Sequence, residues 1–214
     1  MKPIQLYFLR HGESELNHKR IFAGPSVDPA LTPSGVQEAV LQAAAWRDIP
    51  FSAIYSSPAK RALQTAQTMN AGRQLEIQIS DRLKEVDIGE LDGQSIDIPE
   101  NLAAYRSVIS KWEQDVRTAR FPGGESLADV ESRAYRFFEG LPGSDLHQPI
   151  LIAAHGILFM SVLWLFVNGR SDRIQDYYMG RCHLTVAAWD GSQLEVKRFN
   201  IPPQPGAKSE SALQ

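Results

Sequence analysis

Ile4-Gln5-Leu6-Tyr7-Phe8-Leu9-Arg10-His11-Gly12-Glu13-Ser14 is the stretch on which the fold turns. The run to Leu9 is too continuously apolar for a strand with one wet face. It reads instead as a strand buried on both sides, the kind found in the middle of a parallel sheet. Where it stops, the residue types change from packing to chemistry: a guanidinium, an imidazole and a glycine in succession. Two later segments repeat the pattern. Phe51 to Tyr55 reads as a short strand that leads through Ser56-Ser57-Pro58 to Arg61, and Ile150 to Ala154 reads as a strand that ends at His155-Gly156.

Helices are expected between these strands. Thr32 before Pro33 is an N-cap with proline in the first turn, and Val36, Val40 and Ala43 recur at helical spacing as far as about Trp46. Ser57-Pro58 opens a second helix with Ala62, Ala66 and Met69 on its inner face, ended near Gly72. Leu75 to Ile79 is a third strand, and residues 81–98 read as loop. Pro99 opens a helix in which Leu102, Tyr105, Ile109, Trp112 and Val116 share a face. Ser126 with Asp129 resembles a capping box, and Val130, Ala134, Phe137 and Leu141 continue that helix. Ile157 to Val167 is a further helix, and Leu184–Trp189 and Leu194–Phe199 flank the turn signal Asp190-Gly191.

Strands alternating with helices predict a three-layer α/β/α sandwich in a single domain, residues 1–201. Its sheet is mostly parallel, with helices on both faces and a C-terminal hairpin. The proline-rich, small and polar residues 202–214 are expected to form a disordered tail.

Composition excludes several classes. The chain has 214 residues, 43% apolar and 22% charged, and a formal charge of −3 from 22 basic and 25 acidic residues without a long single-sign run. That is an ordinary globular balance, not that of a nucleic-acid or membrane-surface binder. The single cysteine, Cys182, allows no intrachain disulfide, and no cysteine pair suggests zinc. Arg10 follows Met1 too closely for a signal-peptide core, so the cytoplasm is the expected location. Ile150 to Val167 is nearly long enough for a membrane span. His155-Gly156 splits it into two pieces that are each too short.

In open α/β sheets, ligands bind beyond the carboxyl ends of the strands. If the three strands are neighbours, Arg10, Arg61, His11 and His155 converge, beside helix N-termini that favour an anion. Two guanidinium forks and two imidazoles suit a phosphate dianion. Arg61 then sits at the helix end that disfavours a cation, a cost that a bound anion would offset. Of the other histidines, His18 and His147 are expected to face solvent and His183 to be structural. None has a spacing typical of a metal site.

Leu9-Arg10-His11-Gly12-Glu13-Ser14 with Asn17 resembles the opening motif of the histidine phosphatase superfamily, the phosphoglycerate-mutase-like proteins. The resemblance continues in order through Gly24, Asp28, Leu31-Thr32 and Gly35, then Ser56-Ser57-Pro58 with Arg61 and Thr65-Ala66. Leu83-x-Glu85 with Gly89 and Gly93, Gly123-Gly124-Glu125-Ser126 and His155-Gly156 complete it. It implies that His11 is the nucleophile and that Arg10, Arg61 and His155 hold the phosphoryl oxygens. Asn17, Gly24 and Gly156 are implied as substrate-binding positions. Glu85 is implied as the acid that protonates the leaving alkoxide and then as the base for the hydrolytic water, which requires a raised pKa. The arginines supply the positive charge, so no metal and no cofactor are implied.

Departures from the mutase pattern favour a phosphatase. Arg106, Lys111, Arg117 and Arg120 include no adjacent arginine pair, and Ala23 stands where mutases carry a hydroxyl residue. Glu90-Leu91-Asp92-Gly93 lacks the Trp-Glu-Gly common in the family, and residues 94–99 with the 99–117 helix are expected to overhang the pocket. A mutase-type phosphoryl transferase is the alternative, and a non-catalytic phosphate-binding scaffold the more distant one. The expected partner is a small phosphorylated metabolite: a sugar phosphate, phosphoglycerate or α-ribazole-type nucleotide, with a protein substrate also open. A homodimer through the C-terminal hairpin is a further expectation.

Overall fold

The computed structural model describes residues 3–142 and 149–204. Six strands form one sheet: β1 (Ile4–Arg10), β2 (Ala53–Ser56), β3 (Ile77–Ile79), β4 (Ile150–Ala154), β5 (Leu184–Trp189) and β6 (Leu194–Ile201). Their order is β3-β2-β4-β1-β5-β6. β3, β2, β4 and β1 run parallel, while β5 pairs antiparallel with β1 and with β6. The order places β4 between β1 and β2. Three chemically loaded strand ends therefore lie side by side.

Alternation along β1 builds both cores. Leu6 and Phe8 face one side of the sheet, and Tyr7 and Leu9 the other. β4 divides likewise, with Ile150, Ile152 and Ala154 on the first side and Leu151 and Ala153 on the second. All of these residues are buried, because helices cover both faces. The second side is closed by α2 (Pro33–Ala45) and α3 (Lys60–Asn70), the first by α4 (Pro99–Glu113), α5 (Leu127–Glu139) and α6 (Gly156–Phe166). A four-residue turn, α1 (Glu15–His18), follows β1.

The caps read from the sequence form as hydrogen bonds. The Thr32 side chain accepts from Gly35 N–H at the start of α2, and Ser126 and Asp129 make a reciprocal capping box on α5. The inner face of α2 differs from the expected one. Val36 and Val40 are exposed, and Gly35, Ala39 and Gln42 face inward. Backbone proximity explains the difference: a Cβ on Gly35 would collide with the Glu13 carbonyl, so α2 packs through its smallest residues. Val116 is also exposed, because α4 ends at Glu113 before reaching it.

The apolar stretch at 150–167 divides into β4 and α6. α6 is apolar around nearly its whole circumference because it lies within the core. Among the described residues, no helix is long and apolar enough to cross a membrane. The C-terminal hairpin is part of the main sheet, with β6 at one edge and β3 at the other. Most of the expected tail, residues 205–214, lies outside the described residues.

Candidate active site

The end of β1 carries His11 to the carboxyl edge of the sheet, where its backbone N–H donates to Ala154 of β4. Its ring is buried and its two nitrogens face opposite kinds of group. Nδ1 lies 2.7 Å from the Gly12 carbonyl, which can only accept. Nε2 receives the Nε–H of Arg61 at 3.3 Å, which can only donate. These partners set the tautomer, with the proton on Nδ1 and an unprotonated Nε2 whose lone pair accepts from Arg61. Burial, then the charges of Arg61 and Arg10, holds the His11 pKa well below the ordinary imidazole value. Both effects favour the neutral form of the ring.

Arg61 comes from the first turn of α3 and is 1% exposed. Besides His11, its guanidinium donates to the carbonyls of Ala23 at 3.0 Å, Val27 at 3.4 Å and Gly24 at 3.5 Å. The loop that supplies those carbonyls is held in turn by Asp92, whose carboxylate accepts from Gly24 N–H and Ser26 N–H at 2.6 and 2.7 Å. Gly24 thus acts on Arg61 through its carbonyl and lies outside the cleft lining.

Arg10 donates from Nη1 to the Met179 carbonyl at 2.6 Å and stacks on Tyr178 at 4.8 Å. Its buried Nε has no partner among the described residues. An added Cβ on Gly156 would come within 2.9 Å of the Arg10 guanidinium, so the start of α6 must be glycine for Arg10 to lie across it. His155 is fully buried, with its ring centroid 5.3 Å from that of His11. Its Nε2 lies 2.7 Å from Ser57 Oγ, while Nδ1 is unpartnered among the described residues. Burial, then Arg61 and His11, lowers its pKa well below the ordinary value.

Glu85 is buried opposite these cations, on the loop after β3. Its Oε1 accepts from Leu158 N–H at 2.8 Å and from Val86 N–H at 2.9 Å, and Oε2 accepts from Ile157 N–H at 3.1 Å. Burial raises its pKa, against the pull of those three backbone donors and of Arg61. The loop itself is wedged in place: a Cβ on Gly89, at φ +54°, would collide with the Pro122 carbonyl. Glu125 accepts from Asp87 N–H at 2.9 Å and pairs with Arg133.

One expectation is corrected at the helix N-termini. Ile157 and Leu158, at the start of α6, donate to Glu85, and Lys60 N–H, at the start of α3, donates to Asp28 at 2.7 Å. Both helix ends hold carboxylates, which leaves these N–H groups engaged. Asn17 lines the cleft, and its Oδ1 also completes the Ser14 capping box of α1. His18 is largely exposed, His183 bonds to Asn200, and His147 lies outside the described residues. Among the described residues, no group of three or more His, Cys, Asp or Glu is placed to hold a metal. Asp92 was missed in the sequence, where it is one acid in an acidic loop. Only its contact with the 22–28 loop separates it from Glu90.

A cleft of about 250 Å³ opens above His11, with Arg10, Asn17, Glu85 and Gly156 in its lining. At the carboxyl edge of a three-layer α/β fold, an imidazole thus lies beside two buried guanidiniums and one carboxyl group. The chain belongs to the histidine phosphatase superfamily (branch 1), whose family model matches residues 6–202. It is 30% identical over 196 residues to the putative phosphoserine phosphatase 2 of Hydrogenobacter thermophilus, covering 92% of this chain and 95% of that protein. It is also 30% identical over 155 residues to the probable phosphoglycerate mutase GpmB of Salmonella choleraesuis, 72% of this chain and 70% of that one. Among solved structures, a mycobacterial glucosyl-3-phosphoglycerate phosphatase shares the fold at TM-score 0.77 and 22% identity, covering 92% of this chain and 99% of that one.

Proposed function

We propose that the protein is a phosphomonoester hydrolase that works through a phosphohistidine on His11. The observation that carries this reading is the pair of partners on the His11 ring, which leaves Nε2 unprotonated and oriented by a cation. In the first half-reaction Nε2 attacks phosphorus, the P–O ester bond breaks, and Glu85 gives its proton to the departing alkoxide. In the second, water attacks the phosphohistidine, Glu85 takes back a proton, and inorganic phosphate leaves with His11 neutral again.

Arg61 exchanges its bond to Nε2 for a phosphoryl oxygen as the substrate arrives. Arg10, whose buried Nε is free to donate, holds a second oxygen, and His155, whose buried Nδ1 is likewise unpartnered among the described residues, completes the phosphoryl site. Asn17 and Gly156 border the same space. Phosphoryl transfer depends mainly on position and charge stabilisation, and these groups supply both without a metal.

A panel of phosphomonoesters assayed with EDTA, beside His11→Ala, tests the reading. EDTA-resistant phosphate release that His11→Ala abolishes is expected; unchanged release from the variant overturns it. The identity to a probable phosphoglycerate mutase supports a second reading, phosphoryl transfer between substrate oxygens. Isomerisation of phosphoglycerate that outpaces phosphate release would establish that reading instead.

A further inference from the structure

We infer that the substrate is a phosphate monoester of an uncharged, apolar or aromatic alcohol; this rests on the phosphatase reading and adds the identity of its leaving group. The inference comes from the part of the cleft that the proposed chemistry does not use. Beyond the phosphoryl position, the cleft is walled by Ile21, Phe22, Ile96, Leu102, Tyr105 and Tyr178. Its polar lining away from the reacting groups consists of the neutral side chains Asn17 and Gln175.

The wall is built into the core. The Tyr105 ring lies 5.5 Å from Phe22 and stacks on Phe121 at 5.8 Å, and Phe121 packs edge-on against the buried Trp112. The Tyr105 hydroxyl is engaged by Gln175, and burial raises its pKa, so it stays neutral. Such a preassembled surface needs little ordering on binding. Two cations on chain segments bordering the wall are already engaged, Arg20 by Asp97 at 2.7 Å and Arg181 by Glu13 at 3.1 Å.

Phosphoserine and phosphoglycerate carry a carboxylate a few bonds from phosphorus. Arg10, which stacks on Tyr178 of the wall, is committed to the phosphoryl group, and the other wall residues are uncharged, so that carboxylate would lose water without gaining a counter-charge of its own, which is costly. A ring or alkyl chain in the same place exchanges water for apolar contact. The cleft therefore selects against the substrates that the relatives' names suggest.

The test compares kcat/KM for benzyl phosphate, O-phosphoserine and 3-phosphoglycerate, and separately the binding of benzylphosphonate and methylphosphonate as competitors of orthovanadate. Benzyl phosphate is expected to be preferred by about tenfold or more, in the range of hydrophobic-pocket discrimination. Benzylphosphonate should bind tighter than methylphosphonate by a similar factor. Tyr105→Ala should reduce that binding ratio to near unity, and Leu102→Arg should raise 3-phosphoglycerate relative to benzyl phosphate. Equal or reversed preference among the esters, or phosphonates of equal affinity, overturns the inference while leaving the phosphatase reading intact. Tight benzylphosphonate binding with no ester hydrolysed supports this wall and sinks the phosphatase reading.

Discussion

The floor and the wall of the cleft are made of opposite materials. On the floor, His11 and Arg10 line the cleft and Arg61 and His155 lie buried behind them; these polar groups are held by backbone carbonyls, by one another and, for His155, by the Ser57 hydroxyl. On the wall, Leu102 and Tyr105 are apolar or aromatic groups left only partly buried. Each departs from the usual partition, and burying cations that form no direct ion pair among the described residues is the more expensive departure. An anion that arrives with substrate would complete the floor. The wall is complete in itself, through the Phe22–Tyr105–Phe121 contacts. The floor is therefore read as the place of chemistry and the wall as the place of selection. Substitutions on the floor should change kcat, whereas those on the wall should change which ester is preferred.

The largest effect is expected on the floor, from His11→Ala. Loss of a nucleophile predicts a fall in kcat on the order of 10⁴ or more with the fold intact, read by phosphate release and circular dichroism. Activity above a tenth of the native value would break the distinction between floor and wall. Arg61→Ala should cost on the order of 10²–10³ in kcat, by analogy with a deleted transition-state donor. A loss confined to KM would instead mean ground-state binding alone.

Glu85→Gln should cost about 10²-fold on alkyl phosphates and much less on p-nitrophenyl phosphate, whose leaving group needs little protonation. Burial raises the Glu85 pKa, so the acid form persists above the usual carboxyl range and is lost as pH rises through that raised value. Activity on alkyl esters should therefore decline on that alkaline limb, and Glu85→Gln should abolish the limb. Equal losses on both ester classes would argue against the acid role.

Asp92→Ala tests whether the 22–28 loop positions Arg61. A loss approaching 10²-fold in kcat is expected from misplacement, with partial rescue by Asp92→Asn, which keeps one acceptor. An unchanged kcat would remove Asp92 from the account.

The smallest effect concerns stability. His11 and His155 have folded pKa values well below the ordinary one, so as pH falls through about 6.5 the unfolded chain binds protons that the folded chain refuses. Glu85 acts with the opposite sign, because its raised folded pKa stabilises the fold at low pH and that contribution is lost as pH rises. With two strongly shifted histidines against one carboxyl, Tm should fall between pH 7.5 and 5.5, and less steeply in His155→Gln. A Tm that rises over that interval would contradict the assignment of two buried neutral rings.

The floor was legible in the sequence because each of its strands announces itself. β1, β2 and β4 are apolar runs that stop at Arg10-His11, Ser56-Ser57 and His155. Their burial on both faces implied a central place in the sheet, though their adjacency needed the strand order. Much less of the support was legible. Asp92 and Asp28 act across 66 and 32 residues through backbone N–H groups, which leave no periodic signal. The expectation that helix N-termini would hold the phosphate failed because Glu85 and Asp28 occupy them. Glycine contacts defeated the reading of the inner face of α2, since hydrophobic spacing says nothing about how closely two backbones approach.

The most direct measurement is a rapid alkaline quench during turnover of benzyl phosphate, followed by mass spectrometry of the peptide containing His11. A phosphoryl group on His11 is expected to form at least as fast as steady-state turnover and to be absent from His11→Ala. Full turnover with His11 unmodified at every quench time, or an active His11→Ala enzyme, would contradict it.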